Sequence, residues 1–112
     1  HFFQAKKFDG TVYEEKIRLL DNPMRAADMG RNHMLPLRKD WEDVKDDIMR
    51  KAVIEKFTQN LDIKKILIQT GEQELVEKTS TDYYWGCGAN GSGKNMLGLI
   101  LMKTRKKLTI LK

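Results

Sequence analysis

A glycine-rich segment, residues 82–95, carries the residue types of this chain that are best suited to chemistry. It reads DYYWGCGANGSGKN and directly precedes an apolar run. Glycine has no Cβ, so such a loop can bring backbone N–H groups close to an anionic ligand. Asp82 adds a carboxylate, and Tyr84 and Trp85 add flat aromatic surfaces. The segment therefore has three interpretations: a phosphate-binding loop, a pocket for a sugar phosphate or nucleotide, or a simple turn before a helix.

The first interpretation, a nucleoside-triphosphate site, fails two requirements of the phosphate-binding motif. Residues 88–94 fit the pattern G-x-x-x-x-G-K, but the next position is Asn95, where Mg²⁺ coordination needs a serine or threonine hydroxyl. The pattern also requires a buried hydrophobic strand before the loop, whereas residues 79–82 are polar. We predict that the loop is not a magnesium-dependent NTPase site. The pocket and the simple turn both stay open.

Composition is typical of one folded, soluble domain. The chain has 112 residues, of which 40% are hydrophobic and 33% are charged, a balance unlike that of disordered chains. The longest apolar run, residues 96–102, is far too short to span a bilayer. Cys87 is the single cysteine, so a reducing compartment such as the cytoplasm is expected. We predict a single domain over residues 1–112 and no membrane partner.

The net charge is +5, and much of it lies near the C-terminus. The cations there are Lys103, Arg105, Lys106, Lys107 and Lys112. Such a run suits an anionic partner, such as a nucleotide or nucleic acid. Cations also offset the dipole at a helix C-terminus, and we favour this explanation because the run is short and broken. Of three functional classes, a small basic nucleic-acid-binding protein is therefore the one that we favour least.

Helix signals dominate and predict a mainly α fold: a compact multihelical single domain with little or no sheet. Thr11 and Glu14 have the spacing of a capping box. Asn22 and Pro23 have the residue types of an N-cap and a first helical position. Gly30 is expected to end the helix that follows.

The clearest helix signal begins at Asp40. The apolar residues at helical spacing after it are Trp41, Val44, Ile48, Met49, Ala52, Val53 and Phe57. This stripe assigns Trp41 to core packing rather than to ligand stacking. Residues 63–69 fit either a helix or a buried strand, and residues 75–79 fit a short strand or an irregular link. The last helix is expected at about residues 95–108.

Taken in order, these segments resemble the YbiA-like, or NADAR, family of N-glycosidases. The ordered set is specific, although no single piece is. The matching pieces are residues 1–8, Gly30, Arg31, Arg38, Trp41, Met49, Lys56, Phe57, Thr70, Gly71, residues 75–77, 82–88 and 93–98, Leu101, Met102 and Arg105. The resemblance implies a mostly helical fold and hydrolysis of N-glycosidic bonds. One branch of the family acts on phosphorylated ribosylamino-pyrimidine intermediates of riboflavin synthesis, and another removes ADP-ribose from guanine bases.

The resemblance also implies the partner, which is a small phosphorylated riboside or an ADP-ribosylated nucleic acid, and it implies no cofactor. In the family, a glutamate of the active site stands directly before the position of His1. We expect an N-terminal portion to precede His1, because residues 2–5 already resemble the interior of an amphipathic element. If that glutamate is truly missing, the alternative is a catalytically silent nucleotide- or ADP-ribose-binding module. His1, His33 and Cys87 lack metal-ligand spacing, so no metal is predicted.

Breaking a ribosyl C–N bond builds positive charge on the sugar, which a carboxylate can stabilise while an acid helps the base to leave. Asp82 is the candidate catalytic residue, and its alternative role is to cap a turn. Arg31 and Arg38 offer guanidinium forks for phosphate, unless they are solvated surface residues. The other candidate substrate-binding residues are Lys6, Tyr84, Trp85, Gly86, Gly88 and Asn95. For Lys6 a solvated helix face, and for Asn95 a helix cap, are equally good explanations.

Overall fold

The computed structural model describes residues 1–110, and six helices lie within them. They are α1 (Phe2–Lys6), α2 (Val12–Arg18), α3 (Pro23–Gly30), α4 (Trp41–Gln59), α5 (Leu61–Gln69) and α6 (Met96–Ile110). This part of the chain contains no strand, so the predicted mainly α fold is confirmed. The chain divides into two compact units, His1–Ala52 and Val53–Lys112. The single domain predicted over residues 1–112 stays a prediction.

In the first unit, α1, α2 and α3 pack against one another. Their shared core consists of Ala5, Phe8, Ile17 and Ala26. Phe8 and Ile17 are fully buried, and burying a side chain of this size contributes roughly 1.5–3 kcal/mol. This small core fixes the C-terminal end of α1, where the candidate site residue Lys6 lies.

The cap predicted for α2 is half confirmed. Thr11 Oγ1 accepts a hydrogen bond from the N–H of Tyr13 at 3.2 Å. The reciprocal half of the capping box is wrong, because the Thr11 N–H donates to the Phe8 carbonyl at 3.0 Å. The Glu14 carboxylate, free of the backbone, accepts instead from Lys6 Nζ at 3.1 Å.

The predicted bounds of α3 are confirmed. Asn22 Oδ1 accepts from the N–H of Met24 at 2.7 Å, and Pro23 is the first helical residue. The helix ends at Gly30, which is its last helical residue, and the C-cap is Arg31. A Cβ at Gly30 would meet the side chain of Gln4, so glycine at this position gives that side chain of α1 room to lie against α3.

The predicted helix after Asp40 is α4, whose 19 residues make it the longest helix of the described chain. Glu42 and Asp43 lie in its first turn, where negative charge is favourable to the helix dipole. Trp41 is 7% exposed and packs edge-on against Phe3 at 5.0 Å between ring centroids. Its assignment to packing is confirmed.

In the second unit, α5 packs against α6. Residues 63–69 are helical, and Gly71, with φ +62°, directly follows the α5 C-cap Thr70. Residues 75–79 form an irregular link. No helix within residues 1–110 is long and apolar enough to cross a membrane. Lys112, part of the basic C-terminal run, lies outside the described residues.

Candidate active site

A cavity of about 550 Å³ opens in the first unit. It lies between the C-terminal end of α1, the segment that follows α3, and the start of α4. Its lining includes Lys7, Arg31, His33, Leu37, Trp41 and Glu42. A volume of this size is within the usual range for a small-molecule site, and its cations suit an anionic ligand.

The ammonium group of Lys7 is held at this cavity by three contacts. Lys7 Nζ donates to the Gly30 carbonyl at 3.2 Å and lies 5.7 Å from the ring centroids of both Phe3 and Trp41. Burial lowers the pKa of Lys7, and the positive charge of Arg31 lowers it further. Aromatic faces attract a cation, so they offset part of this desolvation cost. The result is a positioned, half-buried cation.

Arg31, predicted to bind phosphate, lines the same cavity. Its side chain is 65% exposed, and its Nη2 donates to Asp28 Oδ1 at 2.7 Å. An exposed ion pair of this kind contributes roughly 0–1 kcal/mol. The guanidinium can therefore turn towards a ligand at little cost.

Lys6 and Arg38, two other predicted substrate-binding residues, belong to a network of charges outside the cavity lining. Lys6 Nζ lies 3.1 Å from Glu14 and 3.2 Å from Asp9, and these hydrogen bonds raise the pKa of Lys6. Arg38 donates two hydrogen bonds to the Asp40 carboxylate, at 2.6 and 2.9 Å, which raise its pKa. A substrate phosphate would have to displace these carboxylates.

Sequence reasoning misses Lys7, although it is adjacent to Lys6. The available signal is that Phe3 and Lys7 are four residues apart, so that they share one face of α1. Nothing in the sequence links Trp41 or the Gly30 carbonyl to that face. The distinction between the two lysines depends on the packing of α1 against α3 and α4.

In the second unit, Asp82 fixes the start of the glycine-rich loop. Its Oδ1 accepts from the N–H groups of Tyr84 at 2.9 Å and Trp85 at 2.8 Å. Its backbone carbonyl accepts from Thr79 Oγ1 at 2.7 Å. Oδ2 accepts no hydrogen bond from any residue that the structure describes. One carboxylate oxygen thus caps a turn, and the other remains available for chemistry.

The backbone donors at the start of α6 are used within the loop itself. The N–H groups of residues 93–97 donate to the carbonyl oxygens of residues 83–87 at 2.7–3.1 Å. A phosphate-binding loop needs such N–H groups directed at the phosphate. The geometry therefore agrees with the absence of a nucleoside-triphosphate site here.

We expect no magnesium-dependent hydrolysis of ATP by this protein. Asn95 offers no hydroxyl to a magnesium ion, and the ammonium of Lys94 lies 5.6 Å from the ring centroid of Tyr84. Phosphate release from ATP in the presence of Mg²⁺ is the measurement. Turnover that disappears in a Lys94→Ala variant would show that the loop binds triphosphates after all.

Gly86 and Gly88, both predicted to allow close approach of a ligand, are buried within the loop. A Cβ at Gly86 would lie 2.3 Å from Thr79 Oγ1, and a Cβ at Gly88 would lie 2.2 Å from the ring of Tyr83. Gly88 also has φ +71°, a conformation that side chains disfavour. The group that approaches Gly88 belongs to the loop, and the groups that approach Gly86 belong to the irregular link of residues 75–79, which gives both glycines a shaping role.

Asn95, another candidate for ligand binding, has both ends of its amide bonded to the backbone. Oδ1 accepts from the Glu77 N–H at 2.8 Å, and Nδ2 donates to the Leu75 carbonyl at 2.9 Å. The residue itself adopts φ +53°. Its side chain ties the irregular link to the start of α6, which accounts for an asparagine here without a ligand.

Tyr84 and Trp85, the predicted aromatic wall, form an edge-to-face pair with ring centroids 4.8 Å apart. Both are half-buried.

Cys87 Sγ donates to the Gly88 carbonyl at 3.3 Å. Across residues 1–110, no group of three or more His, Cys, Asp or Glu side chains is placed to hold a metal ion, and the absence of a metal stays a prediction.

The NADAR domain model matches residues 1–109. The chain belongs to the NADAR domain family. A relative, the N-glycosidase YbiA of Shigella boydii serotype 4, is 51% identical over 110 residues, which are 98% of this chain and 69% of the relative. A riboflavin biosynthesis protein of Vibrio vulnificus is 39% identical over 108 residues, 96% of this chain and 29% of that protein. The family predicted from the sequence is confirmed.

The NADAR fold is also confirmed at the level of structure. The NMR structure of the Escherichia coli protein YbiA matches with a TM-score of 0.89 and 49% sequence identity. The match covers 98% of this chain and 66% of the E. coli chain, slightly less than two thirds. Residues that carry the NADAR resemblance occur in both units: Lys7 and Arg31 in the first, Asp82 and Trp85 in the second.

Proposed function

We propose that this chain hydrolyses the N-glycosidic bond of phosphorylated ribosylamino-pyrimidines. Relatives named N-glycosidase and riboflavin biosynthesis protein support both the reaction and the substrate class. The observation that carries the proposal is the positioned ammonium of Lys7 at a cavity of about 550 Å³ that Arg31 also lines. Two cations at a cavity of this size suit a ribose phosphate.

In this proposal, Lys7 and Arg31 bind the phosphate. Asp82 lies in the second unit and stays the catalytic candidate predicted from the sequence, because a carboxylate can stabilise positive charge on the sugar or activate the attacking water. Water adds to the anomeric carbon as the C–N bond breaks, and the base leaves with a proton. Tyr84 and Trp85 provide an aromatic surface for the substrate.

The other predicted site residues have supporting roles in this proposal. Gly86, Gly88 and Asn95 hold the shape of the loop that carries Asp82. Lys6 and Arg38 maintain the surface network with acidic partners. The cytoplasmic location and the absence of a cofactor are part of the proposal and rest on the sequence alone.

Removal of the substrate phosphate is expected to lower kcat/KM by roughly 10- to 100-fold. The reason is that a hydrogen bond between charged groups contributes about 1.5–3 kcal/mol, and 1.4 kcal/mol is tenfold. The measurement is chromatographic quantification of free base from the phosphorylated substrate and from its dephosphorylated counterpart.

Three results would change the assignment. Equal rates on the two substrates would contradict phosphate recognition by Lys7 and Arg31. Faster release of guanine from ADP-ribosylated guanine would favour the other branch of the family. Saturable binding of the substrate without release of base would favour a silent binding module.

A further inference from the structure

Arg105 is a buried cation without an anionic partner. It is 8% exposed, and its Nη1 donates to Thr70 Oγ1 at 2.8 Å and to the Gln73 carbonyl at 2.9 Å. These partners are neutral. No carboxylate among residues 1–110 forms an ion pair with Arg105. Buried charges in proteins are usually paired, because desolvation of an unpaired charge is costly.

Most of the more exposed arginines have the counter-charge that Arg105 lacks. Four of the five more exposed arginines, Arg18, Arg31, Arg38 and Arg50, each pair with a nearby carboxylate. The fifth, Arg25, is exposed to solvent and forms no ion pair with a described residue. Pairs at the surface contribute little to stability, whereas the buried position of Arg105 is where a counter-charge matters most. The described chain therefore lacks an anion at the place where one would have the largest effect.

Arg105 lines a cavity of about 410 Å³ in the second unit, together with Lys106, Glu72, Met102 and Ile110. Among the described residues, Gln4 Oε1 is the one buried side-chain polar atom that lacks a partner. The Arg105 donors that make no hydrogen bond, Nε and Nη2, therefore keep access to the cavity or to solvent. Lys106 is exposed and forms no ion pair with any described residue.

We propose that Arg105 and Lys106 form a second anion site that binds the phosphate group of a small ligand. A guanidinium presents a planar fork that matches phosphate, and a neighbouring ammonium adds a mobile point charge. The cavity volume accommodates either inorganic phosphate or a ligand the size of a mononucleotide. Met102 and Ile110 provide apolar surface for the remainder of such a ligand. The Glu72 carboxylate in the lining repels an anion, so binding depends on the two cations outweighing it.

A purely structural role for Arg105 makes different predictions. Thr70 is the C-cap of α5, and a cation there offsets the helix dipole. In that case phosphate would not bind at the cavity, and Lys106 would have no function in it. The site uses no residue of the first-unit cavity, so its test is independent of the N-glycosidase proposal.

The test is an NMR titration of the ¹⁵N-labelled protein with sodium phosphate at constant ionic strength, with a nucleoside 5′-monophosphate in a second series. We expect saturable shifts of the amides of Gly71, Glu72 and Lys106. Lys106→Gln should weaken the apparent affinity about fivefold or more, because it removes one charge-assisted contact. Lys103→Gln is the matched control, since Lys103 is exposed on the same helix and does not line the cavity. Tighter binding of the nucleotide than of phosphate would identify an organic phosphate as the ligand.

Arg105→Lys keeps the charge but loses the fork, and it should weaken binding more than Lys106→Gln does. If this variant does not fold, the comparison of Lys106→Gln with Lys103→Gln still decides the question. Absence of saturable shifts at Gly71 and Lys106 in tens of millimolar phosphate would overturn the proposal. Equal weakening in the two lysine variants would also overturn it, because it would indicate general charge screening.

Discussion

Replacement of Lys7 by methionine is expected to lower kcat/KM for a phosphorylated ribosylamino-pyrimidine by roughly 10- to 100-fold, which corresponds to one charge-assisted hydrogen bond to phosphate. Methionine keeps most of the apolar stem that packs near the rings of Phe3 and Trp41. The substitution therefore removes the ammonium with little loss of packing. Steady-state kinetics of base release measure the effect.

Lys6→Met is the matched control, because it makes the same change one residue earlier on α1. Lys6 bonds Asp9 and Glu14 rather than lining the cavity. Loss of such partly exposed ion pairs should change kcat/KM by no more than about threefold. A larger loss in Lys6→Met than in Lys7→Met would assign the substrate to Lys6, in agreement with the sequence-based prediction, and would contradict the role given to Lys7.

Asp82→Asn is expected to lower kcat by about a hundredfold or more, since it removes the charge that stabilises the transition state. Asparagine keeps an Oδ1 that can accept from the N–H groups of Tyr84 and Trp85. The turn at the start of the loop should therefore survive, and the variant separates the charge from the structural role. Asp82→Ala would remove both at once.

Glu74→Gln is the control for Asp82→Asn, because Glu74 is an exposed carboxylate of the same unit. It should leave kcat unchanged, and both variants should melt close to the parent. A folded Asp82→Asn protein that turns over like the parent would reduce Asp82 to a turn residue. Comparable losses in both variants would point to a general effect of net charge.

Features with a local cause were predictable from the sequence. Asn22 and Pro23 specify the start of α3 because the cap and the first helical position depend only on adjacent residues. The apolar stripe from Trp41 specifies α4 because its spacing follows the helical period. The ordered set of family residues added the chemistry, which neither periodicity nor composition contains.

Features that depend on tertiary packing were not predictable. The environment of Lys7 is created by the Gly30 carbonyl and the ring of Trp41, which are distant in sequence. Likewise, a glycine-rich loop before a helix indicates free N–H groups, yet here the carbonyls of residues 83–87 occupy them. Gly30 illustrates the same limit, since the sequence suggests a C-cap, whereas the C-cap is Arg31 and the space at Gly30 is taken by the side chain of Gln4.

The most direct test of the proposed N-glycosidase activity is the joint quantification of free pyrimidine base and ribose 5-phosphate after incubation with the phosphorylated ribosylamino-pyrimidine. We expect the two products in equal molar amounts, at a rate proportional to protein concentration and well above the rate without protein. The rate should fall in Lys7→Met and in Asp82→Asn. An intact substrate after incubation with folded parent protein, or products formed no faster than without protein, would contradict the proposed activity.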